Sequence, residues 1–136
     1  MGEEYCRRVR ELILLADDKV MHELRYLPEI EALTISPLSH LTDEGLSQVE
    51  KLKKLKFLSI KPGGRRISND GLSCLGQLTE LRGLRLEGLA VDDTLLDVIA
   101  TLPQLRHVEI KQTLITPEGI ELLRETLPDT DVKFRW

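Results

Sequence analysis

The segment KPGGRR at residues 61–66 holds the residues of this sequence best suited to bind an anion. Its two glycines would let backbone N–H groups point at a phosphate, and Lys61, Arg65 and Arg66 supply positive charge. A nucleotide-binding loop needs the spacing GxxxxGK[ST] and a following helix, and this segment lacks that spacing and the Lys-Ser/Thr pair. A surface turn built on Pro-Gly-Gly explains the same residues. We therefore interpret the segment as a loop, with a role at the rim of a binding surface left open.

The histidines show no pattern that indicates catalysis or metal binding. His22, His40 and His107 do not lie four residues from a second ligand, as a helical metal site would require. On the predicted sheet described below, Ser59 and His107 are two strands apart, about 10 Å, which is too far for a hydrogen bond. The sequence predicts no enzyme, no metal and no cofactor.

Composition and the two cysteines favour a cytoplasmic protein. Cys6 and Cys74 are far apart and form no CxxC motif, so we interpret both as free thiols in a reducing compartment, with Cys74 in the core. The apolar run LILLA is too short for a signal peptide or a membrane span, and no membrane association is expected. Aromatic residues are only 4% of the 136 residues, which predicts a core of Leu, Ile and Val.

Three phrases of one shape reveal an internal repeat. They read LTDEGLSQV at residues 41–49, ISNDGLSCL at 67–75 and ITPEGIELL at 115–123. The repeated units start 24 to 26 residues apart, and a degenerate unit precedes them. The starting residues are Leu27, Leu52, Leu78, Leu102 and, for a truncated unit, Leu127.

The spacing within a unit predicts a strand followed by a short helix. Aliphatic residues occupy the first, fourth, seventh and ninth positions, and the last two are spaced as in a strand with one buried face. The TDEGL phrase that follows has apolar residues three apart, which is typical of a helix. Thr42, Ser68 and Thr116 are predicted to be N-caps. The glycine of the phrase is expected where a Cβ would obstruct packing against the neighbouring unit.

The pattern LxxLxxLxLxxxxLTDEGLxxL resembles the leucine-rich repeat, specifically the bacterial, planctomycete-like type that carries TDxGL in its outer segment. The resemblance implies an α/β solenoid, a short curved horseshoe with a parallel sheet on its concave face and short helices on its convex face. It further implies a single domain over residues 1–136. This domain would comprise a degenerate cap unit (1–26), four repeats (27–126) and a terminal strand and cap (127–136), with Trp136 covering the C-terminal end of the core.

The chain departs from the usual repeat at two kinds of position. The position often filled by Asn holds Leu38, Leu89 and Thr113, so a ladder of buried Asn side chains is not expected. The third unit has Leu95 in place of the glycine, which predicts a more regular helix there.

The concave face is the predicted binding surface. Its positions carry nine basic and five acidic residues in a chain of net charge −4, which favours an acidic partner protein. Phe57 beside Gly83 would supply an apolar anchor. The predicted partner-binding residues are Lys56, Phe57, Arg82, Arg85, Arg106, His107 and Lys111.

Other interpretations fit the same residues. Alternating Lys, Arg and Glu also suit an exposed sheet whose charges pair with each other. Nucleic-acid or phosphate-ligand binding by this face and the 61–66 loop is the alternative function, but the negative net charge and the scarcity of aromatics for base stacking oppose it. A third reading is a recognition segment of a larger protein. A monomer or weak self-association, through the concave face or an open edge, is expected.

Overall fold

The computed structural model describes residues 10–37, 41–61 and 67–135, and within them six parallel strands form one open sheet in the order of the chain. This is the predicted solenoid of α/β type. The predictions made above for Cys6, Leu38, His40, residues 62–66 of the loop and Trp136 lie outside the described residues, as does Val9. The strands are β1 (Glu11–Ala16), β2 (Ala32–Pro37), β3 (Phe57–Ile60), β4 (Gly83–Glu87), β5 (His107–Lys111) and β6 (Asp131–Arg135).

A short helix follows each of the first five strands and lies on the other side of the core. The first three helices continue into single 3-10 helices, whereas the fourth is a six-residue α-helix, as Leu95 predicted. None of the described helices has the length and apolar content needed to cross a membrane. The helices are α1 (Asp18–His22), α2 (Asp43–Leu46), α3 (Asn69–Leu72), α4 (Thr94–Ile99) and α5 (Pro117–Thr126).

The aliphatic spacing produces the core as predicted. In β3, Leu58 and Ile60 are buried while Ser59 between them points to the opposite face, because successive side chains of a strand alternate. The first and fourth positions close a turn, since the N–H of Leu55 donates to the carbonyl of Leu52 at 3.0 Å. Equivalent residues of successive units stack into one core of Leu, Ile and Val.

A ladder of aspartates joins the outer segments, and we call it the Asp ladder. The Asp18 carboxylate accepts hydrogen bonds from the backbone N–H (2.8 Å) and the hydroxyl (2.6 Å) of Thr42 in the next unit. Burial raises the pKa of Asp18, but these bonds and one from the Gly45 N–H outweigh it and hold the pKa below its usual value. Asp43 receives the same two bonds from Ser68, and Asp93 receives them from Thr116.

The ladder explains the recurring glycine. A Cβ at Gly45 would come within 2.1 Å of an Asp18 carboxylate oxygen and 2.8 Å of the Asp18 Cα. At Gly71 and Gly119 the nearest atoms would again be carboxylate oxygens of the preceding unit, at 2.5 and 2.6 Å. The prediction that a Cβ would obstruct packing is therefore confirmed, and the obstructed group is the ladder carboxylate.

One rung of the ladder has different chemistry. Asn69 stands where the other units have the ladder aspartate, and its partner Asp92 stands where they have Thr or Ser. The Asn69 amide donates to Asp92 at 2.6 Å, and the Asp92 N–H donates back to the Asn69 carbonyl at 3.0 Å. Asp92 also accepts from the N–H of Thr94, which begins α4. The hydrogen bond from Asn69 is the largest cause that lowers the pKa of Asp92.

The predicted N-caps are correct in position but differ in bonding. Thr42, Ser68 and Thr116 each immediately precede a helix. Only Thr116 accepts a hydrogen bond from its own helix, from the N–H of Gly119, whereas Thr42 and Ser68 make no such side-chain cap bond. The hydroxyls of all three donate to the Asp ladder instead.

Cys74 is a free thiol that packs against the core without being fully enclosed. Burial, followed by the charge of Glu50, raises the pKa of this thiol to about 11. The side chain therefore stays protonated near neutral pH, which suits a structural rather than a reactive cysteine.

Candidate functional site

The outward side chains of the sheet form rows that cross the strands, and we call this surface the sheet face. It is the surface predicted as concave. Parallel pairing fixes the rows, because residues in register on adjacent strands lie side by side on the same face. One row holds Glu11, Ala32, Phe57, Gly83, His107 and Asp131, and the next holds Ile13, Thr34, Ser59, Arg85, Glu109 and Lys133.

A shallow depression of about 370 Å³ occupies the centre of the sheet face. Gly83 forms part of its floor, and the Phe57 ring lies close by, since a Cβ on Gly83 would come within 2.8 Å of that ring. Phe57 remains 48% exposed. His107, Glu109, Asp131 and Lys133 are among the residues that complete its lining. The depression therefore combines an exposed aromatic ring with charged groups of both signs.

Two glutamates organise much of the charge on the sheet face. Glu31 lies 2.7 Å from the Arg10 guanidinium and 2.9 Å from the Lys56 ammonium. The hydrogen bond from Lys56 is the largest cause that lowers the pKa of Glu31. Four basic side chains of the face thus pair with two glutamates, because Arg85 and Lys111 contact Glu109 at 3.2 and 3.0 Å.

Arg82 and Arg106, which also stand at the start of strands, have fewer partners than Arg10 and Lys56. Arg82 immediately precedes β4 and lines a small hollow with Glu80 and Gln104. In the part of the chain that the structure describes, its side chain has no hydrogen bond or ion pair. Arg106 precedes β5, and among the described residues its side chain donates only to the carbonyl of Leu105, at 3.2 Å. Both arginines are exposed residues at the edge where the strands begin.

The seven predicted residues all lie on β3–β5 or immediately before these strands, but they form three groups. Phe57, Arg85 and His107 line the central depression. Three lie at the edge where the strands begin, and one lies at the opposite edge. Those at the starting edge are Lys56, Arg82 and Arg106; the one at the opposite edge is Lys111.

Sequence reasoning missed two contributors to this surface. Glu109 forms ion pairs with two basic side chains of the face, those of Arg85 and Lys111. Lys133 adds a further basic side chain, from β6, to the lining of the depression. Both fall at outward positions of the repeat, but the sequence does not show which neighbour a long side chain contacts. Ser59 and His107 occupy different rows, and β4 lies between their strands, as the predicted separation of about 10 Å requires.

Comparison with known proteins shows the fold. No protein-family model matches the chain, and no curated protein matches it. Among solved structures, internalin C2 of Listeria monocytogenes superposes with a TM-score of 0.56 at 20% identity over 82% of this chain. A leucine-rich repeat protein of Leptospira interrogans gives 0.54 at 23% identity, also over 82%. The chain spans 54% of the first protein and 27% of the second.

The likeness to these solved structures agrees with the repeated strand-helix units and with the parallel sheet in chain order. The chain has the fold of the leucine-rich repeat proteins.

Proposed function

We propose that this protein is a non-catalytic interaction module that binds an acidic segment of another protein across its sheet face. A repeat solenoid presents a broad, preformed surface, so little ordering is needed on binding. The observation that carries the proposal is the exposed Phe57 ring beside the Gly83 floor, together with Arg82 and Arg106 along the adjacent edge, which form no ion pair within the described residues.

The geometry supports a partner with an apolar side chain flanked by carboxylates. The depression is wide enough for one apolar or aromatic side chain against the Phe57 ring, which would act as the anchor. Arg82 and Arg106 directly precede Gly83 and His107, which line the depression. They are available to bind carboxylates, since their charges are not neutralised by a described neighbour. Arg85 and Lys111 would first have to leave Glu109, so we expect them to contribute less.

A selection from a random peptide library displayed on phage tests this proposal. We expect the selected peptides to be rich in Asp and Glu around one apolar or aromatic residue. Their binding should weaken at high salt, because exposed charges are screened. Arg82→Glu/Arg106→Glu should weaken the selected peptides at least tenfold, an effect typical of lost charge pairs at an interface.

The matched control is Lys51→Glu/Lys53→Glu, which makes the same change of charge at exposed residues outside the sheet face. This control should bind nearly as the wild type does. Equal loss in both variants would show a nonspecific charge effect and contradict the assignment of the face. Tight, salt-sensitive binding of a mixed-sequence single-stranded DNA in a parallel filter assay would instead favour the alternative of nucleic-acid binding.

Two wider assignments belong to the same proposal. We place the protein in the cytoplasm, because the half-buried Cys74 is a free thiol. We treat residues 1–136 as one domain with a cap unit at 1–26, four repeats at 27–126 and a terminal strand and cap at 127–136. The continuous core across all described units supports a single domain.

A further inference from the structure

The first strand is apolar on both of its faces. In β1, Ile13 and Leu15 point to the sheet face and are 77% and 68% exposed. Leu12 and Leu14 point the other way and are only partly covered by the core. The other strands place mainly polar, charged or small residues on the sheet face. A strand that is apolar on both faces is typical of one covered on both sides and paired at both edges.

The open edge of β1 presents backbone groups that can bind another strand. The carbonyl of Arg10 accepts from the N–H of Ala32 in β2. Residues of a strand turn their backbone groups alternately to either side, so the N–H and C=O groups of Glu11, Ile13 and Leu15 point away from β2. β1 lies at the end of the sheet, and no described strand pairs with this edge.

The two edges of the sheet differ in how they are protected. At the far edge, β6 carries Lys133 and Arg135 on its outward face, and charged side chains of this kind oppose pairing with another sheet. β1 carries only Glu11, at its start, and has no proline and no lysine. A long apolar edge without these features is suited to pair with another strand.

We propose that β1 pairs antiparallel with β1 of a second copy around a twofold axis, with Ile13 opposite Ile13 of the other copy. In this register Leu12 lies opposite Leu14, and Glu11 lies opposite Leu15, so no two carboxylates face each other. The outward backbone groups of Glu11, Ile13 and Leu15 then all find partners, and the exposed Ile13 and Leu15 side chains of both copies cover one another. The same patch serves both copies, as a twofold interface requires.

The sequence immediately before β1 carries no signal for a tight hairpin onto this edge. To pair with β1, residues 1–7 would have to turn back through residues 8–10, which read RVR. Tight hairpins need Gly, Asn or Asp at the turn, and these residues are absent there. A second copy meets the requirement without any turn.

The expected dimer is weak. One strand edge with two exposed aliphatic side chains per copy falls short of the roughly 800 Å² per partner found in stable complexes. We therefore expect a dissociation constant of the dimer between about 10 µM and about 1 mM.

Sedimentation equilibrium of the full chain across that concentration range tests the proposal. The wild type should pass from monomer to dimer, and Ile13→Lys/Leu15→Lys should raise the dissociation constant at least tenfold. Leu114→Lys/Leu122→Lys is the matched control, because these leucines are 66% and 64% exposed outside the sheet. This control should dimerise as the wild type does, and circular dichroism should show that both variants are folded.

Disulfide trapping tests the register independently. With Cys6→Ser and Cys74→Ala in place, Ile13→Cys should oxidise to a covalent dimer, because directly opposite residues in such a pair have Cα atoms about 5.5 Å apart. Glu11→Cys should not, because its own copy would lie about four residues further along, on the order of 13 Å away.

Three results would overturn the proposal. One is a wild type that stays monomeric throughout the range. Another is a dimer that survives Ile13→Lys/Leu15→Lys but is lost in the Leu114→Lys/Leu122→Lys control. The third is a dimer that forms only after residues 1–9 are deleted, which would show that the chain's own first segment occupies the edge.

Discussion

At the scale of single residues, the recurring glycine and the aspartate two positions before it in TDEGL belong to one contact that spans two units. The Asp43 carboxylate binds the N–H and hydroxyl of Ser68, and Gly71 leaves the space in which that carboxylate lies. The phrase therefore recurs because each unit supplies an acceptor to the next unit and receives one from the previous unit. Backbone conformation does not require a glycine at the ladder positions, because Gly88 is the only described glycine with a positive φ.

Replacing a ladder glycine tests this contact. Gly45→Ala should lower the free energy of unfolding by about 1–3 kcal/mol, because the new Cβ would overlap Asp18, including its backbone Cα at 2.8 Å. Urea denaturation measures the change.

Gly76→Ala is the matched control, because its Cβ would meet nothing closer than 3.8 Å. It should leave the protein as stable or add up to about 1 kcal/mol, through the reduced entropy of the unfolded chain. Equal losses in the two variants would show that the ladder does not require the glycine.

At the scale of the elements, the Asn69–Asp92 rung joins α3 to the start of α4 by a different pair of groups. Two carboxylates in this contact would repel each other, so an amide opposite Asp92 preserves the bond between the units. The helix also begins one residue later here, at Thr94, whose N–H binds Asp92. Although Asn69 and Asp92 replace the usual Asp and Thr or Ser, two hydrogen bonds still join the neighbouring units here.

Exchanging these two side chains tests the junction. Asn69→Asp should destabilise the protein near neutral pH and most strongly at low salt, because two carboxylates would then face each other. Each raises the folded-state pKa of the other, so the loss should shrink as the pH falls through those pKa values and one carboxylate takes up a proton.

The exchange variant Asn69→Asp/Asp92→Asn restores one amide and one carboxylate, and it should recover most of the lost stability. Urea midpoints at several pH values report the coupling between the two sites. An exchange variant as unstable as Asn69→Asp alone would contradict the account of this rung.

How far the sequence predicts these elements depends on whether a feature repeats. The strands, the buried Leu58 and Ile60, and the helix starts after Thr42, Ser68 and Thr116 follow from local periodicity, and the structure confirms them. The Asp ladder was missed because each rung joins residues 23 to 25 positions apart, and nothing local distinguishes an N-cap hydroxyl from a ladder donor. The signal available in the sequence was that an Asp recurs directly after the N-cap position, as Asp43 does after Thr42, one repeat before the Thr or Ser that it binds.

The candidate site is harder to predict than the fold. Alternation assigned Arg85, Glu109 and Lys111 to the outward face, and the register confirms it. Whether such charges are available or paired depends on the contacts of long side chains, which periodicity does not determine. The division between paired residues such as Arg85 and exposed, unpaired Arg82 is information that only the structure supplies.

At the scale of the whole molecule, the sheet presents two distinct surfaces. The centre of the sheet face combines Phe57 with basic residues at its edge, and the first strand exposes an apolar edge at Ile13 and Leu15. Pairing of two copies through β1 would extend the sheet without covering Phe57 or Gly83. The two proposals are therefore independent, and either can fail without the other.

Binding of an acidic segment at the sheet face is tested most directly by titrating the isotope-labelled protein with an acidic peptide that carries one central aromatic residue, and following the amide chemical shifts. We expect the largest shifts to cluster at Phe57, Gly83 and His107 and at the adjoining Arg82 and Arg106, and to diminish as salt is added. Shifts confined to the outer helices α2–α4, or no shifts at low salt, would contradict the assignment of the sheet face as the binding surface.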